Sequence, residues 1–366
     1  MIKHLYIHIP FCKKICPYCD FNKRVSSDNY MIKYRDKLKE EIKLYKDSYK
    51  DLETIYIGGG TPSFYPYLKD ILDELNKYID LKIIKEFTVE STIESLANLI
   101  DIIPNYNINR ISIGIESFNE KTLEYLGRRF DINDLCENLN KIKEIGINNI
   151  NFDLIAGLPF ETIDSIKKGL DILISLNPTH ISYYDLIKEE KTKLSYDLKM
   201  KKINLPKEDE VVEMLNLIDE VLGNNGYTKY EISNYKKEGF ESIHNLAYWR
   251  LNDYLGLGSS AHSLVGFKRF YNTYDLKEYI NGDLNKIEED TNLKNEYFLM
   301  GLRMIKGVSI SKYKSIYNKE MFIDFPFINK FIDLGLLRID GDNLSFTDKG
   351  LRLSNIVFRE FVWEEL

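Results

Sequence analysis

The first half of the chain alternates short segments of period-two hydrophobicity with longer amphipathic helical patterns. Six strands are predicted, at residues 5–9, 54–57, 86–90, 110–115, 149–153 and 180–184. Helical patterns lie between them, near residues 30–48, 67–79, 94–101, 131–145 and 162–175. Strands that alternate with helices in this way are typical of βαβ units, so we expect an α/β protein with a parallel sheet.

The predicted strands have one polar and one apolar face each. In the first strand, His4, Tyr6 and His8 alternate with apolar residues, and Arg110 and Ser112 do the same in the fourth. A parallel strand covered by helices on both faces is nearly all apolar. The polar faces therefore predict a polar, ligand-filled interior, which a partial (β/α)6 barrel of the TIM type explains better than a flat doubly wound sheet. Half-exposed antiparallel strands are the alternative, and the intervening helices argue against them.

The pattern changes after residue 184. A charged run leads to a helix near residues 207–224, and a stretch rich in loops follows. From about residue 290 helical patterns return, followed by two short strands at 336–338 and 344–346 and a last helix. We therefore expect a barrel domain over residues 1–220, a loop-rich connecting region over 221–290, and a helical, winged-helix-like C-terminal cap over 291–366.

Composition excludes several classes of protein. Of the 366 residues, 44% are hydrophobic and 29% charged, as in ordinary soluble globular proteins, and the net charge of −7 gives no reason to expect nucleic acid or an acidic membrane surface as partner. No apolar run is long enough to span a bilayer, and no signal peptide fits ahead of the first cysteine. We expect a cytoplasmic protein whose clustered cysteines bind metal.

Three of the four cysteines, Cys12, Cys16 and Cys19, form a C-x3-C-x2-C motif directly after the first strand. Three thiolates fit three irons of a cubane iron–sulfur cluster and leave the fourth iron open, as in a catalytic metal site. The motif lies at the carboxyl end of its strand, where barrel active sites lie. A structural zinc site, with His8 or Asp20 as fourth ligand, is the alternative.

Other strand ends also carry chemistry. Three glycines and Thr61 close the second strand and permit close approach of the backbone, although a plain tight turn explains them nearly as well. Glu90, Glu116 and Asp153 end three polar strand faces at the same rim. Converging carboxylates repel one another unless they serve a cation or hydrogen-bond donors, and solvent-facing loop ends are the alternative. Arg128 is a candidate to neutralise a ligand carboxylate, or else a solvated arginine.

The cysteine motif on the first strand and loop of a βα barrel resembles that of the radical S-adenosylmethionine (radical SAM) superfamily. The resemblance implies that the amino and carboxylate groups of S-adenosylmethionine chelate the open iron of a [4Fe-4S] cluster. One electron from the cluster then cleaves this cofactor to methionine and a 5′-deoxyadenosyl radical.

Further blocks narrow the resemblance to the HemN/HemW group, which contains oxygen-independent coproporphyrinogen III dehydrogenases and heme chaperones. The blocks are Tyr6-Ile-His-Ile-Pro-Phe-Cys, Cys16-Pro-Tyr-Cys-Asp-Phe21, Arg110-Ile-Ser-Ile-Gly-Ile-Glu-Ser-Phe118, Leu126-Gly-Arg128, Asp153-Leu-Ile-Ala-Gly-Leu-Pro159, Tyr230-Glu-Ile-Ser-Asn234 and His244-Asn-Leu-Ala-Tyr-Trp249. By position, the implied contacts to S-adenosylmethionine are Tyr6, Tyr18, Gly59, Gly60, Thr61, Glu90, Glu116, Arg128 and Asp153.

The last of these blocks resembles a segment linked with heme binding in the group. The resemblance implies that His244 is an axial ligand to heme iron, with Tyr248 and Trp249 stacked on the macrocycle. A loop histidine beside a buried Tyr-Trp pair is the alternative. His262 is a second candidate with less support.

Two features favour the chaperone over the dehydrogenase. The dehydrogenases typically carry a further cysteine two residues after the third ligand, where this chain has Phe21. They also have an N-terminal extension ahead of the motif, where this chain has eleven residues. We therefore expect a heme chaperone without coproporphyrinogen dehydrogenase activity. Its expected partners are heme, heme-acceptor proteins (a membrane-associated one included) and an electron donor. The alternatives are the radical oxidative decarboxylase and a radical enzyme acting on heme itself.

The chain also departs from the group's usual pattern. Glu116 stands where glutamine is usual, Phe130 replaces a histidine, and residues 90–94 lack the usual Asn-Pro after the glutamate. These differences bear on single contacts to the cofactor. Cys136, in an amphipathic helical pattern, is expected to belong to the core.

Overall fold

The computed structural model describes residues 1–129 and 131–362, so Phe130 lies outside the described residues. The strands are β1 His4–Ile9, β2 Thr54–Gly59, β3 Glu86–Thr92, β4 Arg110–Glu116, β5 Asn149–Ala156, β6 His180–Asp185, β7 Thr228–Lys229, β8 Asn234–Lys236, β9 Tyr254–Leu257, β10 His262–Val265, β11 Lys268–Tyr271, β12 Ile287–Glu289, β13 Val308–Ser309, β14 Leu337–Asp340 and β15 Asn343–Phe346. The helices are α1 Asp28–Leu44, α2 Leu68–Leu75, α3 Ala97–Ile100, α4 Ile103–Tyr106, α5 Glu120–Leu126, α6 Ile132–Glu144, α7 Ile163–Leu176, α8 Lys193–Lys199, α9 Glu208–Asn224, α10 Ile243–Trp249, α11 Leu276–Asn281, α12 Leu293–Gly301, α13 Ile310–Tyr317, α14 Met321–Asp324, α15 Phe327–Asp333, α16 Asp348–Arg352 and α17 Ser354–Val362.

The six predicted strands are confirmed as β1 to β6, which lie side by side in sequence order and pair in parallel. A doubly wound sheet reverses its strand order near the middle, whereas right-handed crossovers between consecutive strands place all helices on one face. The order therefore agrees with the predicted partial barrel. The sheet ends at β12 on one side and β7 on the other, and no pairing among the described residues joins these two edges.

The helices cover the apolar face of the strands. Alternate residues of β1 and β2, such as Ile7 and Ile57, belong to one large buried core together with apolar residues of α1, α2, α6, α7 and α9. The helix ends carry ordinary signals: the Thr162 side chain accepts a hydrogen bond from the Ser165 amide at 3.1 Å at the start of α7, and Asn177 ends it in the left-handed conformation (φ 55°). The predicted helix at 94–101 is only the four-residue α3 after a 3-10 turn.

The opposite face of the strands is polar and buried, as predicted. Its side chains include those of His4, Thr54, Glu86, Arg110, Asn151 and His180, all of which are almost inaccessible to solvent. Helix α10 packs against this face. Glu86, the first residue of β3, accepts hydrogen bonds from the amides of Ile243 (2.7 Å) and His244 (2.9 Å) at the start of α10. The polar interior is therefore filled by a helix at the amino-terminal ends of the strands.

The segment expected to be rich in loops adds six short strands to the sheet. Strands β8 and β7 extend it beyond β6, and β9, β10, β11 and β12 extend it beyond β1. Each strand has only two to four residues, too few for a period-two pattern to stand out. The C-terminal region is helical, as predicted, with its own core and a three-stranded sheet in the order β13-β15-β14. No helix among the described residues combines the length and apolar character needed to cross a bilayer.

Candidate functional site

The cysteine loop runs from Cys12, three residues after the last residue of β1, to Cys19, and is fixed by backbone hydrogen bonds. The Cys12 amide donates to the Arg24 carbonyl at 2.9 Å, and the Arg24 amide donates to the Pro10 carbonyl at 2.6 Å. The Cys19 amide donates to the Cys16 carbonyl at 3.1 Å, so the second half of the loop is a tight turn. All four cysteines of the chain are free thiols. The motif is therefore held in one arrangement at the carboxyl end of the first barrel strand.

The thiols fit a cluster better than a single ion. Burial raises the pKa of Cys12 and Cys16, and raises the pKa of Cys19 to about 11, so thiolates need a cation beside them. Among the described residues, no three His, Cys, Asp or Glu side chains gather around one point as a single metal ion requires. A cubane cluster does not require its ligands to converge on one point, because each thiolate binds a different iron. His8, a candidate fourth zinc ligand, already uses both ring nitrogens.

The glycines at the end of β2 are required by close packing. Gly59 has φ +116°, and a Cβ there would lie 2.5 Å from the His8 ring. A Cβ at Gly60 would lie 2.7 Å from the Phe11 carbonyl oxygen. The amides of Gly60 and Thr61 donate to the carbonyls of Ile9 and Phe11, each at 2.8 Å. The Thr61 carbonyl in turn accepts from the Phe64 amide at 3.0 Å, so the main-chain acceptor that these two residues offer a ligand is the Gly60 carbonyl oxygen, which suits a donor such as an ammonium group.

Replacing Gly59 by alanine is expected to lower the free energy of unfolding by about 2 kcal/mol or more. The positive φ is strained for alanine, and the new methyl group would clash with the buried His8 ring. Gly223→Ala is the matched control. Gly223 lies in α9, and a Cβ there meets nothing within 4 Å. Its replacement is expected to stabilise the protein by up to about 1 kcal/mol. Urea denaturation of both variants measures the difference, and equal effects would show that this packing is absent.

Glu90 is the central carboxylate of the site. It accepts hydrogen bonds from the Tyr56 hydroxyl at 2.8 Å and from the Gly59 amide at 2.9 Å. Burial, together with the neighbouring charge of Asp153, raises the pKa of Glu90 to about 7. Asp153 in turn accepts from the Ser112 hydroxyl at 2.7 Å and from the Asn151 amide nitrogen at 3.0 Å. A cation placed here would relieve both carboxylates.

Glu116 and Arg128 form a second, adjoining part of the site. Arg128 Nη2 lies 3.1 Å from Glu116 Oε1, and its Nη1 donates to the Gly114 carbonyl at 2.9 Å. Glu116 follows a β-bulge and has φ +66°. Burial raises the pKa of Glu116, and the charge of Asp153 adds to this effect. Burial raises the pKa of Tyr18 and the Glu116 charge raises it further, while the Arg128 charge opposes the rise in the pKa of Cys16, so this pair is coupled electrostatically to the cysteine loop.

A cavity of about 450 Å³ opens beside the cysteine loop. Three predicted cofactor contacts, Tyr6, Gly59 and Glu90, line one part of it. Other lining side chains come from α10, α12, the β9–β11 edge and the segments that follow the cysteines and β11, and they include Phe21, Tyr248, Trp249, Tyr254, His262, Arg269, Tyr274 and Met300. The cavity therefore joins the predicted cofactor site to a larger aromatic surface.

The structure argues against His244 as an axial heme ligand. Its side chain is fully buried. Its Nδ1 lies 2.7 Å from the Thr54 hydroxyl and its Nε2 lies 2.8 Å from the Tyr248 hydroxyl, so neither nitrogen is free for iron. Thr54 is the first residue of β2, and Gly59, its last, lies about 16 Å further along the strand. His244 thus connects α10 to the end of the barrel that is remote from the cysteines.

Several residues of the site were not predicted from the sequence. Tyr56 donates a hydrogen bond to Glu90 and packs beside His244, with the two rings tilted by 31° and their centroids 5.3 Å apart. Its place on the polar face of β2 is the signal that could have identified it. Arg269 forms a bidentate salt bridge with Glu296, in which Nε and Nη2 each lie 2.6 Å from a different carboxylate oxygen. Residues of this edge come from strands too short to be recognised from periodicity.

Comparisons with known proteins show which families and proteins this chain resembles. The sequence model of the Radical SAM superfamily matches residues 6–198, and that of the HemN C-terminal domain matches residues 289–353. Among similar proteins, "Heme chaperone HemW" of Bacillus subtilis is 34% identical over 99% of this chain and 100% of its own length. The proteins of the same name from Lactococcus lactis and Escherichia coli are 32% and 30% identical over 99% and 98% of this chain and 97% and 98% of their own lengths.

Among solved structures, coproporphyrinogen III oxidase (HemN) from Escherichia coli, described as a radical SAM enzyme, has a similar fold. The TM-score is 0.84 over 98% of this chain and 90% of that one, at 22% sequence identity. At this identity the likeness concerns the fold alone. It agrees with the parallel sheet and the helical C-terminal region.

Proposed function

The chain belongs to the radical SAM superfamily and, within it, to the HemN/HemW group, and on this premise we propose that it is a heme chaperone. The observation that carries the proposal is the end-to-end likeness, at 34% identity, to a protein named as a heme chaperone. Phe21, at the place of the dehydrogenases' additional cysteine, supports the same choice. The proposal requires heme-acceptor proteins and an electron donor as partners, and we expect the cytoplasm as its location.

We propose further that Cys12, Cys16 and Cys19 hold a [4Fe-4S] cluster and that S-adenosylmethionine binds at its open iron. The fixed loop and buried thiols suit the cluster, which when bound supplies the electron for cleaving the cofactor. The proposed surroundings of the cofactor accept hydrogen bonds from its ammonium group and ribose hydroxyls. They are Tyr6, Tyr18, Gly59, Gly60, Thr61, Glu90, Glu116 and Asp153. Arg128 attracts its carboxylate.

Retention of heme tests the chaperone function. The untagged chain, reconstituted with iron and sulfide without oxygen, is titrated with ferric heme and passed through a gel-filtration column. We expect one heme per chain to elute with the protein and to give a Soret band. Heme that separates from the chain on the column would contradict the proposal.

Glu116→Gln is expected to tighten binding of S-adenosylmethionine by about three- to tenfold. In the native chain the cofactor's carboxylate competes with Glu116 for Arg128, and a neutral glutamine removes this competition. Glu124→Gln is the matched control, because Glu124 pairs with the exposed Arg129 on the surface. Equilibrium dialysis of the reconstituted variants measures the affinity. Weaker binding by Glu116→Gln than by the control would contradict the proposed role of Arg128.

A further inference from the structure

One of the five histidines is partly exposed to solvent, whereas the other four are buried. His4, His8, His180 and His244 are 4%, 6%, 0% and 0% exposed. The side chain of His262, by contrast, is 34% exposed. An iron atom that arrives from solution needs an accessible nitrogen, so His262 is the histidine best placed to bind it.

The surroundings of His262 resemble those of a metal-binding imidazole. Its Nδ1 lies 3.4 Å from a carboxylate oxygen of Glu289. Metal-binding histidines commonly donate their second N–H to a carboxylate, which orients the ring and raises its basicity. Its Nε2 lies 2.8 Å from the hydroxyl of Tyr274, a side chain that is more than half exposed and can move away. The ring also stacks on Tyr271, at 5.5 Å between centroids.

The cavity that His262 lines suits a flat aromatic macrocycle. Phe21, at its edge, is 71% exposed, although it is a large apolar residue. Trp249 and Tyr254 add aromatic surface, and Met300 adds a thioether. The indole nitrogen of Trp249 is buried without a hydrogen-bond partner among the described residues, so a ligand acceptor such as a carboxylate would satisfy it.

We propose that heme binds in this cavity with His262 Nε2 as its axial ligand, while His244 has a structural role; this rests on the proposed chaperone function. Glu289 orients the imidazole through Nδ1. Tyr274 leaves Nε2 when iron binds. Heme held here lies next to the proposed S-adenosylmethionine site, since Gly59 and Glu90 line the same cavity.

Heme titration of His262→Ala tests the assignment. We expect heme binding at least about tenfold weaker than in the wild type, with the axial-histidine spectrum lost and then restored by free imidazole. Rescue by imidazole separates ligation from a structural role. Retention of the wild-type spectrum and affinity by His262→Ala would overturn the proposal. If the wild type itself retains no heme, the chaperone function fails instead, so the two failures are distinguishable.

Two further variants sharpen the result. Glu289→Gln is expected to lower the iron–histidine stretching frequency in the resonance Raman spectrum of the ferrous complex, because the imidazole loses its carboxylate partner. Tyr274→Phe frees Nε2 and is expected to bind heme at least as tightly as the wild type. An unchanged iron–histidine frequency in Glu289→Gln would overturn the role of Glu289. A loss in Tyr274→Phe as large as in His262→Ala would make the tyrosine the ligand.

Discussion

Replacing Cys12 by alanine is expected to abolish the iron–sulfur cluster. Cys12 is buried at the base of the loop, where its thiol accepts a weak hydrogen bond from the Thr61 hydroxyl at 3.7 Å. Without this thiolate the cluster keeps only two protein ligands, Cys16 and Cys19, and two of its irons are left open. The loop itself is held by backbone hydrogen bonds and is expected to stay folded.

Iron content and the visible absorption of the anaerobically reconstituted variant measure this loss. We expect iron to fall to the level of the buffer control. Cys136→Ala is the matched control, because Cys136 is the fourth cysteine of the chain and packs against the core in α6, away from the loop. It is expected to retain full iron. A Cys12→Ala variant with the iron content of the control would show that the cluster assignment is wrong.

Replacing His244 by alanine is expected to lower the free energy of unfolding by about 3 kcal/mol. The substitution leaves a cavity in the polar interior and removes one hydrogen bond from each of two buried hydroxyls, that of Tyr248 and that of Thr54, which keeps His4 as its other partner. The variant also loses the edge-to-face contact between the His244 and Tyr248 rings, whose centroids lie 4.9 Å apart. The loss arises at the end of the barrel remote from the cysteines.

Chemical denaturation measures this effect, and Tyr248→Phe calibrates it. Tyr248→Phe keeps the ring and removes only one of the two hydrogen bonds, so we expect a loss of about 1 kcal/mol. Folded His244→Ala should retain the axial-histidine spectrum of its heme complex. A stability change below about 1 kcal/mol together with loss of that spectrum would instead make His244 the ligand.

The barrel could be predicted from the sequence because its signals are local. Alternation within strands such as β4 identifies both the strand and its polar face, and the cysteine spacing lies within eight residues. The convergence of Glu90, Glu116 and Asp153 could also be predicted from the sequence, because the carboxyl ends of parallel strands lie at the same edge of the sheet.

The place of His244 could not be predicted, because it depends on contacts between distant segments. Thr54 lies 190 residues before it in the chain. A seven-residue helix carries no periodic signal that tells an interior position from a rim position. The motif resemblance indicated a role in heme binding, whereas the observed hydrogen bonds indicate a structural one. The edge formed by β9, β10 and β11 was missed for another reason, because each of these strands has only four residues, too few for a period-two pattern to stand out.

The chaperone proposal is tested most directly by incubation with coproporphyrinogen III. The reconstituted chain is kept without oxygen with S-adenosylmethionine, a reductant and this substrate, and the products are separated by chromatography. We expect no protoporphyrinogen above the amount formed by Cys12→Ala. Protoporphyrinogen formed by the wild type and absent from Cys12→Ala would contradict it and identify a radical decarboxylase.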